Sequence, residues 1–127
     1  MNNGASVDPD RIRVELKVRK LPEGHYCVRV IDFAILFAGD QSMGAVWILR
    51  IVRPSKKRYL NEYLVKLTPL LDSSDFVKLA RELTICGISD KDQYGGDVSG
   101  LLKVRELEIG LLYLSDKEDI RVIKRVA

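Results

Sequence analysis

Arg50, Arg53, Lys56, Lys57 and Arg58 crowd one short stretch of the chain, with no acidic residue among them. Trp47 stands just before this cluster, and Tyr59 and Tyr63 follow it. Cations attract backbone phosphates and aromatic rings stack on unpaired bases, so the mixture suits single-stranded nucleic acid. The flanking residues read as a β-hairpin: a strand from Ala45 to Arg53, a turn over Pro54-Ser55-Lys56-Lys57, and a strand from Arg58 to Lys66. Arg50 interrupts an apolar strand and marks a face open to water or ligand. Tyr59 and Tyr63 share one face of the second strand, opposite Leu60 and Leu64, which predicts an exposed tyrosine pair. Trp47, flanked by Val46 and Ile48, fits core packing as well as base stacking. The charges at the tip also fit a solvated turn that keeps a sheet edge from aggregating.

Other strands and a helix must hold this hairpin in place. Residues 1–10 are polar and read as a flexible tail ahead of a single domain over 11–127. Arg11, Arg13, Glu15, Lys17 and Arg19 alternate with Ile12, Val14, Leu16 and Val18, the pattern of a half-buried strand. Leu21-Pro22-Glu23-Gly24 reads as a turn, and His25 to Phe37 as a long strand. In that strand the apolar residues swap faces near Val30-Ile31, which predicts a bulge or bend. Phe33, Ile35 and Phe37 are assigned to the core, and Gly39 to Gly44 to a loop. A helix is predicted from about Ser73 to Cys86, with Phe76, Leu79, Ala80 and Leu83 on one face. Ser73 or Ser74 caps its start and Gly87 ends it, although Thr68-Pro69 could open it a turn earlier. Lys91 to Gly100 reads as a loop and Val98 to Glu106 as undecided. Leu107 to Leu114 and Asp119 to Val126 read as the last two strands.

The totals exclude several function classes. The chain has 127 residues, 46% hydrophobic and 31% charged, which suits one globular domain with its own core. Its net charge of +3 is uneven: residues 1–66 hold 12 Lys/Arg against 7 Asp/Glu, and residues 67–127 hold 9 against 11. The positive half contains the aromatic hairpin. No apolar run approaches the roughly 20 residues that span a bilayer, and the first ten residues lack an apolar signal core. The expectation is a cytoplasmic protein without membrane partners. Cys27 and Cys86 read as free buried thiols, and the single His25 forms no metal-ligand spacing with them. No nucleophile–base pair or phosphate-cradling glycine motif is evident, so no catalytic residue, metal or cofactor is expected and the chain is read as a non-enzyme.

Three strands, a helix and two strands is the element order of the OB-fold, a five-stranded Greek-key barrel that binds oligonucleotides on its second and third strands. The expected fold is therefore mainly β, an OB-like barrel with one helix between strands three and four and an extra N-terminal strand. Leu21-Pro22-Glu23-Gly24-His25-Tyr26 also resembles the opening Leu-Pro-x-Gly-x-Tyr of phage and prophage proteins related to single-stranded DNA-binding proteins. The resemblance continues through Arg29-Val30-Ile31-Asp32, Leu49-Arg50-Ile51-Val52, Lys57-Arg58 and Cys86-Gly87-Ile88. It departs at Pro54-Ser55-Lys56-Lys57, where that group has a glycine-rich turn, and in its basic final residues, where many single-strand binders carry an acidic tail. The resemblance implies single-stranded DNA as partner, little sequence preference, and a phage or other mobile element as source. In that reading Arg50, Arg53, Lys56, Lys57 and Arg58 hold the backbone. Tyr59, Tyr63 and Trp47 stack bases, and the loops at 39–44 and 91–100 flank the strand. The alternative is a protein-interaction or homo-oligomerisation module on the same barrel, with the strand at 11–19 pairing edge to edge.

Overall fold

Alternation of apolar and polar residues builds a five-stranded antiparallel sheet in the computed structural model, which describes residues 21–53, 57–115 and 117–127. The expected tail, the alternating strand at 11–19 and Lys56 lie outside the described residues. The strands are β1 (Gly24–Ala38), β2 (Gln41–Arg53), β3 (Tyr63–Pro69), β4 (Glu106–Leu114) and β5 (Lys117–Arg125), in the spatial order β3-β2-β1-β4-β5. Between β3 and β4 run three helices, α1 (Ser73–Ile85), α2 (Asp90–Gly95) and α3 (Val98–Leu102).

One face of the sheet curls around a core that includes Val28, Val30, Trp47, Leu49, Ile51, Leu64, Leu107, Ile109 and Leu111. β1 supplies Tyr26, Val28 and Val30 to that core, then changes phase and supplies Phe33. The switch is a bulge: Val30 pairs with Leu49 and Asp32 with Ile48, leaving Ile31 as the extra residue. A bulge of this kind bends a strand so that it can serve two sides of a curled sheet. Phe37 is not in the core; it lies near the end of the β1–β2 hairpin and is 66% exposed. Residues 39–44 are not a loop, because Gly39 and Asp40 alone make the turn and Ala38 pairs with Gln41.

α1 packs against β3 and β5 through Leu79 and Leu83, while Phe76 in its first turn is half exposed. Its cap is Asp72, whose carboxylate accepts from the Asp75 amide, and Asp75 in turn accepts from the Leu71 amide. Gly87, at φ +87°, takes the left-handed conformation that ends the helix. The span 91–100 is largely helical, with Ser89 and Asp97 capping α2 and α3. No helix among the described residues is long and apolar enough to cross a membrane.

The sheet is not closed. β3 and β5 are its two edges, and no ladder joins them among the described residues. Lys66 crosses the gap instead: its ammonium donates to the Ile120 carbonyl at 2.6 Å and pairs with Glu82 of α1 at 3.0 Å.

Candidate nucleic-acid interface

Register decides which side chains share the outer face of the sheet. Arg50 on β2 pairs with Tyr63 on β3 and Arg29 on β1, and Arg29 pairs with Glu106 on β4. Directly paired residues point to the same side, so Tyr63, Arg50, Arg29 and Glu106 form one row across four strands. A second row runs Arg53, Cys27, Glu108 and Lys124 across β2, β1, β4 and β5. The cations on these rows outnumber the carboxylates.

Arg53 belongs to this face because of a bulge. Cys27 pairs with Arg53 and Val28 with Ile51, which leaves Val52 extra. In a regular strand Arg50 and Arg53, three apart, would point to opposite faces. The extra residue turns Arg53 back to the side of Arg50.

Glu106 organises the arginines. One carboxylate oxygen lies 2.8 Å from Arg29 Nη2, the other 2.8 Å from Arg53 Nη2. The hydrogen bond from Arg29 holds the Glu106 carboxyl below its ordinary range; burial opposes it, and the charges of Arg53 and Arg29 each add a lesser lowering. Arg53 Nη1 also sits 3.7 Å from the Cys27 sulfur, a half-buried free thiol. Arg50, between Tyr63 and Arg29 in the first row, has no ion pair or hydrogen bond to any described residue, and its Nε is shielded from water.

The remaining residues expected at the site separate. Trp47 is fully buried, edge-on to Phe33 with ring centroids 5.0 Å apart, so it belongs to the core and cannot stack a base. Tyr59 is not on β3. Lys57–Tyr59 forms a 3-10 turn, Asn61 adopts φ +66°, and the Asn61 amide donates to Ile51 O. This chain path tucks the Tyr59 ring into the core at 6% exposure. Arg58 covers that ring, its guanidinium carbon 4.9 Å from the centroid, and donates to the Tyr59 hydroxyl at 2.8 Å. Arg58 is therefore engaged with Tyr59, while Lys57 is exposed at the turn. Tyr63 is the one expected aromatic left on the outer face, where it is half buried.

Glu106, Glu108 and Lys124 carried no sign as site residues in the sequence, and Arg29 little, since only long-range pairing brings them beside Arg50 and Arg53. Alternation in β1 placed Arg29 opposite Val28 and Val30, the one signal that could have found it. No protein-family model matches the chain, and no curated protein matches it significantly.

Proposed function

We propose that this chain binds single-stranded DNA with little sequence preference, across the outer face of β1, β2 and β3. The observation that carries the reading is Arg50, a cation without a counter-charge among the described residues, flanked in one row by Tyr63 and Arg29. A phosphate seated there meets guanidinium donors, and an adjoining base meets the tyrosine ring. The sheet order β3-β2-β1-β4-β5, with Lys66 of β3 reaching the Ile120 carbonyl of β5, supports reading this open sheet as OB-like. With the resemblance to phage and prophage relatives of single-strand binders, this favours a role in binding, without turnover, on DNA exposed in the cytoplasm. Guanidinium contacts to phosphates and stacking on a ring are alike for every nucleotide, so this mode carries little sequence preference.

A second reading, a protein-interaction module, rests on an apolar groove of about 510 Å³ lined by Leu36, Phe37, Met43, Leu67 and Pro69. Labelled oligo-dT titrated at low and high salt separates the two. Binding that weakens as salt rises, and that falls about 5- to 150-fold in Tyr63→Ala, supports the DNA reading; that range corresponds to a stacking contact of about 1–3 kcal/mol. No change in anisotropy at micromolar protein and low salt refutes it.

A further inference from the structure

We infer that the bound strand does not stop at the hairpin but crosses β1 into a groove between β1, β4 and β5, where Lys124 and Arg53 hold backbone phosphates. The inference rests on the DNA-binding reading and extends its footprint from Arg53 to β4 and β5, where no binding residue was expected.

The groove has a volume of about 520 Å³, and His25, Cys27, Arg53, Glu108, Lys124 and Val126 line it. Two of the three cations that line it, Arg53 and Lys124 but not Arg125, reach it through bulges. Val52 is the extra residue that brings Arg53 round. On β5, Glu108 pairs with Lys124 and Ile109 with Val122, so Ile123 is extra. In a regular strand Lys124, two residues beyond Val122, would share its inner face. Bulges concentrate where a sheet must re-aim a side chain, and two of them serve this one row from opposite ends. Three strand spacings separate β2 from β5, about 14 Å in all. A stacked strand advances about 3.4 Å per nucleotide, so a strand crossing the row places more than one phosphate against it.

Arg53 is paired with Glu106, yet the charged side chains at the groove remain largely exposed. The side chains of His25, Arg53 and Lys124 are 67%, 61% and 65% exposed. Glu108 lies lower, its carboxylate 3.1 Å from His25 Nδ1 and 3.8 Å from Lys124 Nζ. The longer contact is an ion pair outside hydrogen-bond range, which leaves the ammonium donors for another acceptor. Glu108 aligns the cations but repels a phosphate, so neutralising it strengthens binding.

The test measures oligo-dT affinity against salt for the wild-type protein, Lys124→Gln and Glu108→Gln. Lys124→Gln is expected to flatten the slope of log affinity against log salt by about 0.7 and to weaken binding about fivefold near 0.1 M salt, the loss of one phosphate contact. Glu108→Gln is expected to bind about two- to threefold tighter, the factor for removing one unit charge about 7 Å away in water. Wild-type binding with an unchanged slope in Lys124→Gln overturns the inference and leaves the hairpin site standing, as does Glu108→Gln binding no tighter than wild type. Absence of wild-type binding at low salt overturns the underlying reading.

Discussion

Replacing Lys66 by Met should destabilise the fold by about 2–4 kcal/mol. The residue pairs in register with Trp47, so its stem points into the core while its ammonium spans the seam to Ile120 O and Glu82. Met keeps the stem's packing and removes only the charged head. It leaves the Glu82 carboxylate, 17% exposed, without its cation and the Ile120 carbonyl without its donor. Removing one partner of a buried ion pair costs about 3–5 kcal/mol, and residual water contact at Lys66, 10% exposed, trims that figure. For a domain of this size the loss corresponds to a drop in Tm of roughly 10 °C. Urea melts followed by the emission of the single tryptophan give the free energy directly, because Trp47 sits in the core that melts. The double variant K66M/E82L separates the pair from its parts. Replacing both charges by apolar groups is often neutral, so the double variant should recover the part of the loss due to the stranded Glu82 and keep only that of the Ile120 carbonyl, about 1–2 kcal/mol. A loss below about 1 kcal/mol in K66M, or simple additivity in the double variant, would refute the view that this lysine fastens β3 to β5 and α1.

Trp47→Ala should cost about 3–5 kcal/mol through the cavity it leaves, and wild-type Trp47 emission should resist iodide quenching; efficient quenching in the native protein would return the ring to the surface. Burial pushes the Cys86 thiol up to about 12, with the Glu82 charge adding to it, so at pH 8 a thiol reagent should modify half-buried Cys27 and spare Cys86; labelling at both positions followed by mass spectrometry would contradict that. Glu106 titrates below its ordinary value of 4.5 in the folded chain. Its contribution is therefore present above that value and is lost as pH falls through the lower folded one, and Glu106→Gln should flatten the acid limb of stability against pH. An identical acid limb in the variant would mean that Glu106 does not hold Arg29 and Arg53.

Much of the frame was legible because it follows from local periodicity. The phase change at Ile31 showed in the sequence as apolar residues moving from Tyr26, Val28 and Val30 to Phe33, and the sheet answers with a bulge there. Leu79 and Leu83 marked the inward stripe of α1, and Gly87 marked its end. Tyr59 misled because Tyr-Leu-Asn-Glu-Tyr alternates as a strand does, and only Asn61, a residue tolerant of the left-handed region, hinted at a turn. Phe76 satisfies the helical spacing yet sits a turn outside the core, since spacing reports a face and not where the opposing sheet ends. Glu106 had no signal at all: its partner Arg29 lies 77 residues away, and no window of sequence contains both.

The basic cluster that drew attention in the sequence is therefore redistributed by the fold. Arg58 is engaged at the Tyr59 ring and Lys57 stays at the turn, while Arg50 and Arg53 join Arg29 from another strand. Simple alternation would have parted Arg50 from Arg53, and a sheet without the Val52 bulge would carry one of them into the core. A buried, unpaired guanidinium is costly enough that the fold must either turn Arg53 outward or give it a carboxylate. Here it does both, through the bulge and through Glu106. The same carboxylate fixes Arg29, so two arginines from different strands are ordered by one acidic residue while Arg50 beside Arg29 is left without a counter-charge among the described residues. With its neighbour Arg29 held by Glu106 and no counter-charge for itself among the described residues, Arg50 is where a phosphate would gain most by docking.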